Sequence, residues 1–460
     1  MTRHPRIVGG VLLGLLALAL LLVAINRPWF DEALAPELVA LREPKAAPLE
    51  DNAFPFALGF LAAEGRDPRA AGSEIIRILQ ARRDRGEPAT IDEEEKRAIL
   101  GAPLSIAGLA TRSQKVAEPS AATTSLGRIC LPRYDLDCAH RLIALAESLD
   151  PGQSPLPVLL PRYETLLQQA HYVETPVPDP MTPWPPLGPI QELGRLRLAI
   201  SFRTDPTPVF LEKASQELAF WRMALREGQL LGTKMSALAS IRWTHDFLST
   251  LMRERRLDAG DLERLRGFVR PFTREESDIG AAFLSESRTS LLGGMPSVAG
   301  DASWMVRLLL QKNATFNQEF RDTLEPLRER ASLDARQFHD RKAYEPLRRE
   351  FRVGPGMFYN LGGKLALSRS IWDGQLFPAR VHDEDGRITL LLLQAQIEER
   401  PDLDVATIVR SSTLRSPYTG KAMEYDPRAG TIGFACLHSA HHPPEPADRC
   451  AVALGRPAAP

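Results

Sequence analysis

Three histidines near the C-terminus form the pattern best suited to metal chemistry. His438, His441 and His442 fall within five consecutive positions, and imidazole is a common ligand of zinc and copper. Prolines follow them directly, which argues against a helix in which i, i+4 spacing would bring two of these side chains to one side. Cys436 and Cys450 enclose the segment, so their thiolates are lost as ligands once the two form a disulfide. We therefore expect an exposed loop here, with no metal site and no cofactor.

Two histidine–aspartate neighbours resemble catalytic pairs only in sequence. In His245-Asp246 and His339-Asp340 an imidazole stands next to a carboxylate. Adjacent residues of a helix point about 100° apart, so adjacency argues against a hydrogen-bonded dyad of the kind that hydrolases use. The chain also lacks the G-x-S-x-G, H-E-x-x-H, P-loop and G-x-G-x-x-G motifs. We predict no catalytic residue and favour a protein that is not an enzyme.

Two clusters of carboxylates are typical of helix starts rather than of acid–base chemistry. Glu275, Glu276 and Asp278 follow Thr273, a residue suited to capping a helix. The glutamates at 93–95 come soon after Thr90, where they would complement the helix dipole. A general acid–base pair, as in wall-degrading hydrolases, would need a second carboxylate at a defined distance. The sequence assigns no such partner.

The four cysteines fall into two local pairs, which suggests disulfides. Cys130 lies close to Cys138, and Cys436 lies close to Cys450. An even number of cysteines in an oxidising compartment is typical of disulfides, although four cysteines allow three connectivities. Neither spacing matches a zinc ribbon or a CxxC redox motif. We predict Cys130–Cys138 and Cys436–Cys450 as the simplest pairing.

The N-terminus carries the strongest signal for location. Residues Ile7 to Ile25 form an uncharged apolar run, which as a helix would extend about 28 Å, close to the thickness of a bilayer's hydrocarbon core. Arg3 and Arg6 precede the run, so the positive-inside rule places the N-terminus in the cytoplasm and the rest of the chain across the membrane. Trp29 and Phe30 stand where an aromatic anchor at the membrane surface would.

Cleavage as a signal peptide is the alternative fate of this run. A signal peptide has an apolar core of about 7–15 residues and a small-residue cleavage site. The run here is longer, and the A-x-A that comes after it, at Ala33 to Ala35, is followed by Pro36. We therefore favour an uncleaved anchor. Gly10 and Gly14 form a GxxxG pair that could join two such helices, but chance spacing of small residues explains it equally simply.

The composition and the net charge limit the classes of partner that the protein would attract. The chain has 460 residues, with 57 basic and 58 acidic side chains and a net charge of −1. No overall field would steer it to nucleic acid or to anionic lipid. Apolar residues make up 44%, an ordinary value for a globular protein of two or more domains.

Apolar residues at helical spacing dominate most of the chain. They are clearest over 206–270, where three helices are predicted, the first two separated near Gly228 and Gly232. Predicted helices elsewhere cover 54–63, 68–83, 139–149, 162–172, 274–291, 302–330, 333–351, 360–372 and 385–400. The prolines of 177–189 argue against regular helix in that run. Short strands are predicted at 422–425 and 431–437, around a turn that ends in Gly430.

The predicted fold is therefore mainly α. It has an N-terminal transmembrane helix, a helical bundle or solenoid-like outer domain, and a small C-terminal α+β cap with a β-hairpin. The predicted divisions are a cytoplasmic flank and anchor at 1–30, a stem at 31–50, a helical domain at 51–353 and a small domain at 354–460. Trp221, Trp243, Trp304 and Trp372 are predicted core residues, whereas Trp184 is a predicted surface contact.

Several short motifs resemble a group of uncharacterised proteobacterial envelope proteins with one N-terminal span and a long helical outer region. The motifs are Asp51-Asn52-Ala53-Phe54-Pro55-Phe56-Ala57-Leu58-Gly59, Asp67-Pro68, Gly72 and the Cys130/Cys138 pair. The resemblance covers about two thirds of the chain. It implies a membrane-anchored helical protein, but no activity and no catalytic residues.

The C-terminal hundred residues are faintly similar to the globular end of pilin-like and pseudopilin-like proteins. The shared features are a helix, the segment from Pro417 to Lys421, a hairpin and a final cysteine pair. In pilins the apolar helix runs directly into that domain, whereas most of this chain lies between the two. The prepilin processing site near Arg6 is also absent. The similarity therefore concerns topology rather than function.

These observations favour a single-pass inner-membrane protein with its N-terminus in the cytoplasm and its bulk in the periplasm. We expect it to bind or scaffold an unknown ligand, an envelope protein or a second copy of itself, without catalysis. An envelope hydrolase acting on cell wall or lipid is the alternative, as is a pilus- or secretion-associated component. Converging Asp, Glu or His residues in a deep pocket would favour the hydrolase.

Overall fold

Most of the chain folds into α-helices, as the sequence predicts. A computed structural model describes residues 4–41, 50–85, 87, 90–105, 138–149, 152, 154–174, 184–255, 257–292, 308–347, 358–369, 376–437 and 449–455. The helices are α1 His4–Ile25, α2 Pro36–Ala40, α3 Ala53–Leu58, α4 Pro68–Asp84, α5 Glu93–Leu100, α6 Cys138–Ser148, α7 Leu156–Leu167, α8 Leu187–Thr204, α9 Thr207–Glu227, α10 Leu231–Glu254, α11 Ala259–Phe268, α12 Arg274–Ser277, α13 Gly280–Leu292, α14 Lys312–Glu319, α15 Glu325–Ala331, α16 Ala335–Asp340, α17 Leu361–Arg369, α18 Leu376–Glu398 and α19 Val405–Ser411. The mainly helical fold is thereby confirmed.

Side-chain caps set several helix starts. Asp67 accepts a hydrogen bond from the Ala70 N–H, directly before Pro68 opens α4. Asp92 caps α5 in a capping box with Glu95, which places the predicted glutamate cluster in the first turn. These local interactions satisfy N–H groups that a helix leaves without internal partners.

The central core forms around α8, α9 and α10. The predicted periodic region over 206–270 is confirmed as three helices, α9, α10 and α11. Trp221 of α9 and Trp243 of α10 are buried, as predicted. Gly194 of α8 permits a close approach, because a Cβ there would collide with the Tyr163 hydroxyl. Helix α8 itself was not predicted, and the expectation that 177–189 excludes helix is wrong for 187–189.

Polar groups inside this core pair with one another. Glu217 of α9 accepts hydrogen bonds from the Tyr163 hydroxyl and, at 2.8 Å, from Nε1 of Trp221. Arg197 of α8 forms a bidentate pair with Glu164 at 2.6 and 2.9 Å. Buried polar groups are costly unless they are bonded in this way.

Two predicted helices are shorter or interrupted. The predicted helix over 274–291 breaks between α12 and α13, where Asp278 accepts a hydrogen bond from the Gly280 N–H at 2.8 Å. Of the helix predicted over 333–351, the part that the structure describes, up to residue 347, contains α16 alone, and Lys342 beyond it has a φ of 50°. A left-handed residue ends a helix, because the i→i−4 ladder cannot pass through it.

A π-turn also interrupts the helix predicted over 302–330, of which 302–307 lie outside the described residues. It covers Phe320–Leu324, and the Glu325 N–H donates to the carbonyl of Phe320. Pro326 follows and lacks the N–H that an α-helix would use.

The C-terminal part combines α18, α19 and a small antiparallel sheet. Strands β1 Glu424–Asp426, β2 Thr431–Ala435 and β3 Arg449–Ala453 lie in the order β1-β2-β3. The predicted hairpin is confirmed as β1–β2, turning at Gly430, which has a φ of 60°. The third strand was not predicted. Phe338, Leu390, Ile432 and Phe434 belong to a second hydrophobic cluster beneath this sheet.

Helix α1 stands apart from this packing. The side chains of residues 10–21 are exposed, and they include leucines at 12, 13, 15, 16, 18, 20 and 21. Within the part of the chain that the structure describes, no helix combines the length and apolar character needed to cross a membrane. The predicted transmembrane anchor is therefore not shown.

Candidate functional site

A run of polar residues lies in the interior of the protein on α18. His382, Asp383, Glu384 and Arg387 are buried, and Asp385 is half-buried. Successive helical residues point about 100° apart, so the run projects charged side chains in several directions at once. We call these five residues the α18 polar run. Its members contact both the helical core and the C-terminal sheet.

Asp383 faces the C-terminal sheet. Its carboxylate accepts hydrogen bonds from the Tyr418 hydroxyl and, at 3.0 Å, from the Leu437 N–H. Burial and the neighbouring Asp383 carboxylate raise the pKa of Tyr418, which therefore stays protonated as a donor. Asp383 thus ties α18 to the segment that leads out of β2.

Glu384 pairs with His245 of α10. Nδ1 of His245 lies 2.8 Å from Oε1 of Glu384, and both side chains are only 5% exposed. Burial alone would raise the pKa of Glu384, but the hydrogen bond from His245 and the charges of Arg387 and Arg242 outweigh it and lower the pKa. Nε2 of His245 is buried without a hydrogen-bond partner among the described residues. A carboxylate therefore orients this imidazole, while its far nitrogen stays available.

Next to this pair lies a group of charges whose hydrogen bonding is incomplete. Asp246 and Arg242 are half-buried residues of α10, yet Oδ2 of Asp246 and both Nε and Nη2 of Arg242 are buried with no hydrogen-bond partner among the described residues. Burial raises the pKa of Asp246 to about 6, although Arg242 and Arg387 oppose that rise. Burial also lowers the pKa of Arg242 to about 10. Here desolvation exceeds the ionic attraction.

A second ionic cluster holds α9 and α12 together beside α18. Arg222 donates to Glu276 at 3.0 and 2.7 Å, and Arg270 donates to the same carboxylate at 2.9 and 3.0 Å. Burial would raise the pKa of Glu276, but the hydrogen bonds from Arg270, Arg222 and the Thr273 N–H lower it. Thr273 caps α12 in a capping box with Glu276, which confirms the predicted helix start. The carboxylate is thus an ionic link between these elements.

We expected that neither His245-Asp246 nor His339-Asp340 would form a hydrogen-bonded pair, and this expectation is wrong for the second. His245 pairs with Glu384 and not with its neighbour Asp246, as expected. His339, however, lies 3.2 Å from Asp340 through Nδ1 and Oδ1, and both side chains are exposed. Exposed side chains at the end of a short helix have the freedom to bend toward each other, which the 100° argument for a rigid helix ignores.

One of the two predicted disulfides lies in the described residues. Cys436 and Cys450 are joined, with their Cα atoms 5.5 Å apart. The bond links the end of β2 to β3. Cys130 lies outside the described residues, so the Cys130–Cys138 pair stays a prediction.

The remaining predicted residues are only partly described. His438, His441 and His442 lie outside the described residues, as do Trp304 and Trp372. Trp184 is exposed, and its role as a surface contact stays a prediction.

Within the described residues, one group of side chains is close enough together to hold a metal ion: Asp383 with Cys436 and Cys450. Their ligand atoms lie within 4.8 Å of one another. Both sulfurs are bonded to each other, and Asp383 already accepts two hydrogen bonds. A metal would need thiolates that the disulfide removes. The expectation of no cofactor stays a prediction.

A second candidate site is the joint between α1 and the helical body. Nδ2 of Asn26 donates to the carbonyl of Leu22 at 2.7 Å and to that of Phe358 at 2.9 Å. Nε2 of Gln311 donates to the carbonyls of Ile25 at 3.1 Å and Arg27 at 2.8 Å. These amides satisfy carbonyls that the end of a helix leaves open. The body itself thus caps α1.

The segment after α1 is fixed to α14 in the same manner. Asp31 accepts hydrogen bonds from the N–H groups of Asn313 at 2.7 Å and Ala314 at 2.9 Å. Asn317 accepts from the Ala35 N–H and donates to the carbonyl of Ala33, both at 2.8 Å. Leu38 of α2 is buried in the main core. Residues 26–38 are therefore part of the folded body.

Exposed apolar residues surround this joint. Trp29 is 74% exposed, Phe30 55%, Phe358 43% and Leu308 38%. The Tyr359 hydroxyl donates to the carbonyl of Phe30 at 3.1 Å, which holds the 358–360 segment beside the end of α1. We call Trp29, Phe30, Leu308 and Phe358 the apolar collar. Sequence reasoning found its first two residues, whereas the others required the fold.

Comparison with known proteins gives no relative. The chain matches no family model, no curated protein and no solved structure. The resemblance to proteobacterial envelope proteins and to pilin-like domains therefore stays a prediction.

Proposed function

We propose that the protein is a single-pass inner-membrane protein whose body binds or scaffolds an envelope component in the periplasm, without catalysis. The anchor is α1. It extends over 22 residues, about 33 Å at 1.5 Å per residue, and its sequence from Ile7 to Ile25 is uncharged. Exposed leucines along this helix need an apolar environment, which a bilayer supplies.

The observation that carries the proposal is the joint at Asn26 and Gln311. A flexible linker would leave the body free to tumble at the end of its anchor. Here each amide donates two hydrogen bonds around the end of α1. The anchor and the body therefore move as one unit. A protein that holds a partner at a set height and orientation from the membrane needs this property.

The state of the interior polar groups supports a non-catalytic role. Glu276 is neutralised by two arginines, and Asp383 accepts two hydrogen bonds that hold the C-terminal sheet. These carboxylates fasten elements together. The exposed Trp184, beside Gly232 at the start of α10, is the side chain that we assign to contact with a partner.

Topology tests the proposal directly. The full chain would carry a C-terminal reporter that is active only in the periplasm or only in the cytoplasm, and the mature N-terminus would be sequenced. We expect periplasmic activity in the membrane fraction and a chain that keeps its first thirty residues. The matched control lacks residues 1–30 and should stay in the cytoplasm. Cytoplasmic activity of the full chain, or a mature chain that begins beyond Phe30, would refute the anchor.

An envelope hydrolase is the second candidate, and the His245–Glu384 pair favours it. An imidazole oriented by a carboxylate with its far nitrogen unpartnered is the arrangement of a general base. A substrate would have to reach a side chain that is 5% exposed. Purified protein and its His245→Gln variant can be compared on peptidoglycan and on phospholipid. Turnover that disappears in the variant while its fold persists would favour the hydrolase, whereas no turnover by either supports scaffolding.

A further inference from the structure

The apolar collar lies at the level where α1 ends, and this placement follows from the hydrogen bonds of the joint. One amide of Asn26 bridges the carbonyl of Leu22, in the last turn of α1, and the carbonyl of Phe358. Gln311 bridges Ile25 and Arg27 in the same way, three residues after Leu308. Two segments from the distant body are therefore fixed around the final turn of the apolar helix.

The end of a membrane helix is the plane where hydrocarbon gives way to headgroups. Trp29 and Phe30 follow that end within five residues. Phe358 is held beside it through its carbonyl, and Leu308 lies three positions before Gln311, which is bonded there too. Large apolar side chains favour this boundary, where their rings or methyl groups leave water without entering the deep hydrocarbon. A surface of this kind, continuous with an apolar helix, is a surface for lipid.

Two charges at the joint agree with this assignment. Arg27 is exposed between α1 and the collar, where it can meet lipid phosphate. The nearby Asp31 carboxylate instead faces α14 and accepts the N–H groups of Asn313 and Ala314. One acidic side chain that would repel an anionic surface is thus already paired inside the protein.

We propose that the apolar collar is a lipid-contact surface, so that the body rests on the periplasmic face of the bilayer. This inference rests on the proposed membrane anchor and adds that Leu308 and Phe358 enter the headgroup–acyl boundary. The partner is phospholipid, recognised by its apolar boundary and phosphate. The body then has a fixed face toward the membrane and another toward the periplasm.

The test uses the full chain in vesicles of phosphatidylethanolamine and phosphatidylglycerol. A photoreactive phenylalanine analogue replaces Leu308 or Phe358, one position at a time, and lipid adducts are counted by mass spectrometry. The matched controls carry the same analogue at Val209 or Leu403, which are exposed to a similar degree, 39% and 47%, but lie in other elements. We expect severalfold more lipid adduct at the collar positions than at the controls.

Flotation of the same samples distinguishes a failure of the proposed lipid contact at the apolar collar from a failure of the proposed membrane anchor. A chain that floats with vesicles but gives equal adduct yields at all four positions overturns the collar and leaves the anchor intact. Adducts with a second protein copy instead of lipid also overturn it. A chain that does not float refutes the anchor and the collar together.

Discussion

Asp246 provides the sharpest test of how the interior charges are balanced. Burial raises its pKa to about 6 from an ordinary 3.8. Because a carboxyl group with a raised pKa binds protons more tightly in the folded state, it lowers stability as the pH rises between these two values. Below about pH 4 the group is protonated in both states and has no effect. Above about pH 6 the carboxyl is ionised in both states, and the fold bears the full free-energy cost of the buried charge.

The size of this cost follows from the same pair of values. The difference between 3.8 and about 6, at about 1.4 kcal/mol for each pH unit, corresponds to about 3 kcal/mol. Asp246→Asn keeps the shape of the protonated carboxyl and removes its ionisation. We therefore expect the variant to be more stable than the parent by up to about 3 kcal/mol at pH 8, and nearly equal to it at pH 4.

Urea unfolding of the purified chain, followed by circular dichroism across this pH range, measures the difference. The parent and the variant share every other titrating group, so the difference between them isolates Asp246. Asp402→Asn, at an exposed position, is the matched control and should change stability little at any pH. A variant that is less stable at pH 8 would show that attraction to Arg242 and Arg387 outweighs burial, and would refute the reasoning. A gain that does not change with pH would refute it too.

Three further predictions concern the ionic cluster, the joint and the disulfide. Arg222→Met should destabilise the fold by about 3 kcal/mol, because Glu276 loses its buried partner. Adding Glu276→Met should restore most of that stability in urea unfolding. If stability is not restored, the loss did not come from an unpaired Glu276 charge. Gln311→Ala should speed backbone hydrogen exchange after α1 while the core keeps its protection; unchanged exchange would mean that the joint is held elsewhere. Peptide mapping without reduction should recover Cys436 linked to Cys450, and reduction should cost about 3 kcal/mol for a loop of this length; free thiols at these positions would contradict the structure.

Local patterns were sufficient to predict the helical core, and prolines account for several of the errors in the boundaries. Helices α9, α10 and α11 follow the apolar spacing closely because each buries one regular face. In α7, α8 and α18 the observed helix begins earlier than the apparent proline break. Pro157, Pro189 and Pro378 each occupy the first turn of their helix. In the first turn the backbone N–H has no partner within the helix, so its absence from proline costs nothing. Proline, which breaks the interior of a helix, is therefore suited to the start of one.

The candidate sites depend on contacts that sequence spacing cannot supply. Glu384 lies 139 positions from His245, and nothing local to either residue indicates the other. The predicted helix begins at Asp385, whereas in the structure α18 already includes Asp383 and Glu384 and buries both. Leu308 and Phe358 likewise resemble ordinary apolar residues until the joint brings them beside α1. The cap at Thr273 is the opposite case, because its partner lies three residues away. At α5 the cap is Asp92, two residues after the Thr90 near which the helix start was predicted.

The joint between α1 and the body has a consequence for the order of synthesis. Arg27 and Gln311, whose hydrogen bond helps to close it, are 284 residues apart, and Asn26 and Phe358 are 332 apart. At about 5–20 residues per second, a ribosome needs on the order of tens of seconds between making the two sides. The apolar helix therefore leaves the ribosome long before the residues that cap its end exist. During that interval its final carbonyls depend on water or lipid headgroups, and the orientation of the body is set only when the last third of the chain has arrived.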